Sequence, residues 1–266
     1  MDKELEYEKK NDMVLTVDIA NKLLHLFLDI GEKLMGSGAE VKRIEDTINR
    51  LGTAYGAVKM NVFVITSSIV VTMELPGNER ITQTRRILGT GGTDFTKMES
   101  LNELSRRCCE HPMKPEELQK ELENLKKAPD GLLLYMGSAL AAGSHAVFFG
   151  GTLTDALFAA LFGILVCYLQ KTLMKICPNN MIFNLTAAFL TGAGICAIGR
   201  VLPFLHSDKI MIGDIMLLIP GIAMTNSIRD ILVGDTISGI MRLIESILWA
   251  GSLACGFMAA ILLIGG

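Results

Sequence analysis

The second half of the chain contains five apolar stretches, each about as long as a helix that crosses the hydrocarbon core of a bilayer. Lipid offers no water to backbone N–H and C=O groups, so a spanning segment must pair them internally and folds as a helix. Small residues recur four positions apart in three of these stretches, which favours close helix contact. We therefore predict a membrane domain over residues 129–266, with spans at about 131–149, 153–169, 181–199, 210–227 and 240–264.

The first half differs sharply from the second in charge. Residues 1–130 hold 19 Lys and Arg and 22 Asp and Glu, whereas residues 131–266 hold six of each. Amphipathic helical spacing and alternating β-branched segments predict an α+β domain over residues 1–128. Its predicted elements are helices at 17–35, 39–51, 94–109 and 115–126, and strands at 58–65, 69–75 and 80–88.

Lys and Arg in the connections predict the orientation of the spans. The side opposite the N-terminal domain has only Arg200 and Lys209, whereas the other side has Lys126, Lys127, Lys171, Lys175, Arg229 and Arg242. The acidic N-terminus shows no cleavable signal peptide. We expect a multi-pass protein of the cytoplasmic membrane with a cytoplasmic N-terminus and an external C-terminus. The predicted fold is an α+β cytoplasmic domain followed by an all-α helical membrane domain of five spans.

Composition and motifs exclude several classes of function. A net charge of −3 with both signs interspersed gives no basic patch for nucleic acid. The six cysteines show no C-x-x-C spacing, which indicates reduced thiols rather than a metal site or a disulfide framework. No metalloprotease, serine-hydrolase or P-loop motif is present, and no span holds the Tyr-Asp pair of an intramembrane aspartyl protease. We predict no enzyme activity, no cofactor and no metal site.

A glycine-flanked serine precedes the second predicted helix. Ser37 and Glu40 have the spacing of a capping box, in which each side chain bonds a backbone N–H at the helix start. The run SGAEVKRIEDT around them has two interpretations. It is either an anion site at a helix N-terminus or a helix break with surface charges, and the second is favoured.

The stretch PGIAMTNSIRDILVGDTISG, residues 220–239, places a helix breaker and charges in the fourth predicted span. Proline removes a helical hydrogen bond, and such breaks are tolerated at membrane depth where they line a cavity. Broken helices near the midplane form substrate sites in secondary transporters. We predict a substrate-binding or gating site that includes a charge pair between Arg229 and Asp230; its residues are Pro220, Gly221, Thr225, Asn226, Arg229, Asp230 and Asp235. The alternative is that these charges pair in a solvated loop at the interface.

Three motifs resemble the threonine/serine exporter family: GSGAEVKRIEDT, FFGGTLTDALFA and PGIAMTNSIRDILVGDTISG. The similarity runs from about Val14 to Gly266. It implies export of small hydrophilic metabolites driven by the proton gradient, threonine and serine in some members and a dicarboxylate such as succinate in others. Long members carry a second membrane domain. The resemblance to short members implies a separately encoded small membrane protein as partner.

We therefore predict a subunit of a proton-coupled exporter of threonine and serine that works in an oligomeric assembly. A zwitterionic substrate needs one partner for its positive group and one for its negative group. A dicarboxylate needs more cationic side chains than the apolar half of the chain contains. Ionisable residues within spans mark functional sites, so Asp155 and His145 are candidates for proton coupling. Asp214, early in the fourth span, is a third ionisable residue of this kind. The alternatives are a dicarboxylate exporter and a membrane-anchored sensor or scaffold.

Overall fold

The computed structural model describes residues 15–87, 92–125, 131–177 and 179–265. This part of the chain forms ten α-helices, one three-stranded sheet and a final π-helical turn at Ile261–Gly265. The helices are α1 Val17–Gly36, α2 Val41–Ala54, α3 Phe95–Glu110, α4 Pro115–Glu123, α5 Leu132–Phe148, α6 Leu153–Leu173, α7 Asn180–Val201, α8 Ser207–Leu218, α9 Gly221–Leu232 and α10 Thr236–Ala260. The strands are β1 Lys59–Ile65, β2 Ser68–Glu74 and β3 Arg80–Arg86.

Two compact units divide the chain, and their boundary does not follow the order of the sequence. The first unit combines the described residues of 1–128 with residues 226–241. The second unit combines the described residues of 129–225 with those of 242–266. The end of α9 and the start of α10 therefore belong to the same unit as the N-terminal helices and the sheet.

The core of the first unit lies between its helices and one face of the sheet. The strands pair antiparallel in the order β1-β2-β3, with Lys59 opposite Glu74. Ile69, Val71 and Met73 alternate along β2 and are fully buried, as expected for a sheet with one covered face. The helices α1 and α2 supply most of the remaining core residues, among them Leu23, Leu24, Phe27, Ile30, Leu34, Ile44, Ile48 and Leu51.

Glycines and alanines set the helix contacts in the second unit. A Cβ atom on Gly256 of α10 would lie 2.8 Å from the Ala188 Cβ of α7, and one on Gly192 of α7 would lie 3.0 Å from the Ala260 Cβ. These are the small residues whose spacing predicted close contact, and the structure confirms that they face each other. Gly213 brings α8 equally close to α5, because a Cβ there would lie 2.6 Å from the Ala142 carbonyl oxygen.

The local elements of the first half agree with the sequence, apart from one cap. The predicted helices and strands each coincide with an observed element to within a few residues. The capping box at Ser37 and Glu40 was wrong, because Ser37 instead ends α1 and donates its hydroxyl to the Lys33 carbonyl at 2.7 Å. Glu40 is the N-cap of α2 but makes no side-chain cap bond. Lys126, Lys127 and the predicted boundary at 128–129 lie outside the described residues.

The predicted fold class was wrong in its number of spans. Among the described residues, three helices are long and apolar enough to cross a membrane: α6, α7 and the continuous helix Thr236–Gly265. The helices α8 and α9 meet the same criteria only as a pair bent by 52°, which would make four. Leu132–Phe148 is a shorter apolar helix. The fourth stretch breaks because Pro220 has no N–H and Ile219 before it is extended, as the residue before proline prefers.

The predicted fold class was also wrong in treating the α+β part as a separate domain. We expected a cytoplasmic α+β domain that ends before a separate membrane domain begins. The described chain is instead mostly helical with one small sheet, and residues 226–241 from its apolar half complete the first unit. Long-range packing, which local periodicity does not report, places this segment against the N-terminal elements.

Candidate functional site

The SGAEVKRIEDT run and the PGIAMTNSIRDILVGDTISG stretch contact each other in the first unit. Two hydrogen bonds join them, between residues that are 188 and 189 positions apart in the sequence. Asn226 of α9 donates through Nδ2 to the Gly38 carbonyl at 3.1 Å. One turn later, Arg229 Nη1 lies 2.7 Å from Glu40 Oε1. We call this pair of interactions the α2–α9 contact. It joins the SGAEVKRIEDT run to the stretch that follows the helix break.

The backbone between α1 and α2 explains why these groups are available. Gly38 has a φ of +85°, a left-handed conformation that favours glycine, and it turns the chain between the two helices. Glu40 then takes the N-cap position of α2 with its side chain free of cap bonds. Its carboxylate is therefore able to pair with the guanidinium of Arg229. The Glu40 side chain is 16% exposed and that of Arg229 is 63% exposed, so the pair lies at the edge of the unit.

The start of α10 continues the same surface along the sheet. Ser238 donates to the Val64 carbonyl at 3.5 Å, and the Thr66 hydroxyl donates to the Met241 sulfur at 3.7 Å. Gly239 permits this packing, since a Cβ there would lie 2.7 Å from the Ser227 carbonyl oxygen. The segment 226–241 is therefore a tight helical hairpin that packs against both α2 and the end of β1.

Asp230 and Asp235, the two acidic residues of the predicted site, lie at or near the turn of this hairpin. Gly234 has a φ of +104°, and the Asp235 N–H donates to the Asp230 carbonyl at 2.9 Å. Asp230 is fully buried. Burial, and secondly the negative charge of Asp235, raises the pKa of Glu45 on α2. Acidic groups of α2 and of the hairpin thus lie close enough to influence each other.

The break that precedes the hairpin belongs to the second unit. The Gly221 N–H donates to the Ile219 carbonyl at 2.8 Å, and α9 begins at Gly221 directly after Pro220. Thr225 donates its hydroxyl to the Gly221 carbonyl at 3.0 Å, within its own helix. Of the predicted site residues, Asn226 and Arg229 form hydrogen bonds to the SGAEVKRIEDT run. Sequence reasoning missed Glu40 as the partner of Arg229.

The anion-site interpretation of the SGAEVKRIEDT run finds little support at α2, whose N-cap is the acidic Glu40. A surface depression of about 480 Å³ lies next to this run, lined by Ser37 and by residues 92–97. The depression opens at the start of α3, where Asp94 accepts the Lys97 N–H at 2.9 Å. An acidic cap thus occupies that helix N-terminus as well.

Asp155 forms the centre of the FFGGTLTDALFA motif in the second unit. Thr152 and Asp155 form a capping box at the start of α6, in which the Asp155 carboxylate accepts the Thr152 N–H at 2.8 Å. Its two oxygens also accept the His206 N–H and contact His206 Nδ1, each at 2.9 Å. A fully buried carboxylate with this many donors joins α6 to the N-cap residue of α8. His145, the other proton-coupling candidate, bonds the Ala141 carbonyl of its own helix at 2.7 Å.

These bonds predict a structural effect for Asp155→Ala. We expect the variant to unfold at a thermal midpoint roughly 5 to 10 °C lower, since hydrogen bonds to a buried charge contribute about 1.5–3 kcal/mol each. Circular dichroism of the full chain in detergent measures the shift. Asp208→Ala, which removes an exposed carboxylate on α8, is the control and is expected to leave the midpoint nearly unchanged. Equal midpoints for the two variants would contradict a stabilising role for the hydrogen bonds between Asp155 of α6 and His206 at the start of α8.

The apolar helices and the bent α8–α9 pair define a multi-pass helical membrane protein, of the kind in which broken helices form transport sites. The family model of the threonine/serine exporters matches residues 25–264. The chain belongs to the threonine/serine exporter family. This family consists of transporters, not enzymes.

Two curated relatives extend this comparison. The "Threonine/serine exporter" of Corynebacterium glutamicum is 23% identical over 247 residues, which cover 88% of this chain and 50% of the relative. The "Probable threonine/serine exporter" of Mycobacterium tuberculosis is 20% identical, over 90% of this chain and 46% of the relative. The chain therefore spans about half the length of these relatives. No solved structure matches it.

Proposed function

We propose that this chain is a subunit of a proton-coupled secondary transporter that exports threonine and serine across the cytoplasmic membrane. The observation that carries the proposal is the broken α8–α9 pair, bent by 52° at Pro220 within an apolar region. Broken helices expose backbone N–H groups, which donate to the carboxylate of an amino acid, and backbone C=O groups, which accept from its ammonium. Family membership supports the same class of cargo.

The α2–α9 contact gives the first unit a role in this proposal. The helix that follows the break is bonded through Asn226 and Arg229 to Gly38 and Glu40. A movement of α9 during transport would break or re-form these bonds. We propose that Arg229 and Glu40 act together as a gate, with Pro220, Gly221, Thr225, Asp230 and Asp235 as the remaining substrate-binding or gating residues.

We also propose an orientation of the chain in the membrane and an oligomeric assembly. Residues 226–241 pack in one unit with the N-terminal elements, so we propose that both lie on the cytoplasmic side, and the excess of Lys and Arg in the connections on that side supports this orientation. Thr236–Gly265 then leads to an external C-terminus, which labelling of a C-terminal cysteine by an impermeant reagent tests in intact cells. We further propose that the chain works in an oligomeric assembly with a separately encoded small membrane protein of the same family.

Counterflow in proteoliposomes tests the proposed cargo. We expect vesicles preloaded with unlabelled serine to accumulate labelled serine and threonine at least about ten-fold over protein-free vesicles, because a carrier exchanges amino acids that the bilayer alone does not pass. Labelled succinate in parallel vesicles tests the dicarboxylate alternative. The chain is reconstituted alone and together with a small membrane protein of the same family. Exchange of succinate alone, or of none of the three compounds in either preparation, would contradict the proposal.

A further inference from the structure

Asp214 is a buried carboxyl group that finds no hydrogen-bond partner among the described residues. The residue lies on α8, six positions before Pro220, and is 0% exposed. Neither of its carboxyl oxygens has a hydrogen-bond partner in the described part of the chain. Buried charges in proteins are paired and hydrogen-bonded, as Asp155 is in the same unit. The structure around Asp214 is therefore suited to the neutral, protonated form of the carboxyl.

In the described part of the chain, the helices packed against α8 place no hydrogen-bond donor on this carboxyl. They are α5, α6 and α7. No hydrogen bond or ion pair to Asp214 comes from any of the titratable side chains on these helices or on α8: Tyr135, His145, Asp155, Cys167, Tyr168, Lys171, Cys196, Arg200, Asp208 and Lys209.

The position of Asp214 differs from that of the other carboxylates on α6 and α8. Asp155 and Asp208 lie in the first turns of their helices, where backbone N–H groups or water can solvate them. Asp214 lies in the second half of α8, on the turn that Gly213 holds against Ala142 and Ala146 of α5. The break at Pro220 interrupts the helical hydrogen bonds between this turn and α9.

We propose that Asp214 is the side chain that carries the exchanged proton, bound in the conformation described here and released when α8 moves and water reaches the carboxyl. The inference rests on the proposed proton-coupled function and names the residue that performs the coupling. A proton needs only one carboxyl oxygen, whereas a metal cation needs several oxygen ligands, and no group of three potential metal ligands occurs among the described residues. On release, the O–H bond of the Asp214 carboxyl breaks and the proton passes to water.

Transport by Asp214→Asn tests the proposal, because asparagine matches the protonated carboxyl in size but cannot release a proton. We expect the ratio of pH-gradient-driven flux to counterflow to fall at least about five-fold in the full chain. Asp208→Asn makes the same chemical change at an exposed position of the same helix and is expected to keep the parental ratio. Asp214→Glu retains a titratable group and is expected to recover coupling with a shifted pH profile. A ratio for Asp214→Asn within two-fold of the parent overturns the proposal, including the case in which both fluxes fall together.

Infrared spectroscopy of the chain in lipid gives a reading that does not depend on the cargo. We expect the parent at neutral pH to show the C=O band of a protonated carboxylic acid, and Asp214→Asn to lack it while Asp208→Asn retains it. Loss of the band confirms the buried proton even if no amino acid is transported, so failure of the proposed function is recognised separately. A parent without the band, or a band that persists in Asp214→Asn, overturns the inference.

Discussion

Gly256→Val is expected to destabilise the second unit strongly. A Cβ at this position would lie 2.5 Å from the Leu185 carbonyl oxygen, 2.8 Å from the Ala188 Cβ and 3.0 Å from the Phe189 nitrogen. Two of these atoms belong to the backbone of α7, which cannot rotate away as a side chain can. The helices must separate, and overpacking of this kind costs about 3 kcal/mol or more. Thermal unfolding in detergent should show a midpoint lower by roughly 10 °C.

Gly251→Val provides the matched control, because it makes the same change on the same helix where no atom lies within 4 Å of the new Cβ. We expect this variant to keep the parental midpoint to within about 2 °C, since valine differs little from glycine in helix propensity on an exposed face. Size-exclusion chromatography should likewise separate an aggregated Gly256→Val from a monodisperse Gly251→Val. Similar behaviour of the two variants would show that α7 and α10 do not meet at Gly256.

Reversal of charge at the α2–α9 contact is expected to stop export while the protein stays folded. Arg229→Glu places two carboxylates against each other, and Glu40→Arg places two guanidinium groups against each other. Because the Arg229 side chain is 63% exposed, the loss of stability should stay below about 1 kcal/mol. We expect each single variant to export serine at least about ten-fold more slowly, since α9 loses its attachment to α2. The double variant restores the attraction with opposite polarity and should recover a large part of the rate.

Two further variants identify the partner of Arg229. Lys42 and Asp46 form an exposed pair on α2, 3.4 Å apart, and reversal of that pair is the matched control for a charge change on the same helix. The combination of Arg229→Asp with Asp230→Arg tests the pairing that the sequence suggested. Recovery of export by this combination, and not by Glu40→Arg with Arg229→Glu, would contradict the α2–α9 contact. Parental export by every single variant would favour the solvated-loop alternative.

Local patterns in the sequence were sufficient for the secondary structure of the first unit and for the helix contacts of the second. The three-and-four spacing of Leu23, Leu24 and Phe27 predicted α1, because helical periodicity alone turns these side chains to one face. The small residues at 188, 192, 256 and 260 predicted close helix contact for a similar reason, since a missing side chain permits close approach in any partner. The break at Pro220 was equally readable, because it depends on the proline itself.

The tertiary structure decided which groups face each other. Arg229 stands beside Asp230 in sequence, yet it pairs with Glu40, 189 residues away, because the hairpin of residues 226–241 packs into the first unit. Ser37 and Glu40 had the spacing of a capping box, but the Ser37 hydroxyl donates to the Lys33 carbonyl at the end of α1 instead. Asp155 and Asp214 looked alike in an apolar sequence, and only the fold showed that, within the described part of the chain, one carboxyl group has several donors and the other has none. Periodicity and breaks are properties of neighbouring residues, whereas the partner of a buried or charged group depends on how distant segments close on one another.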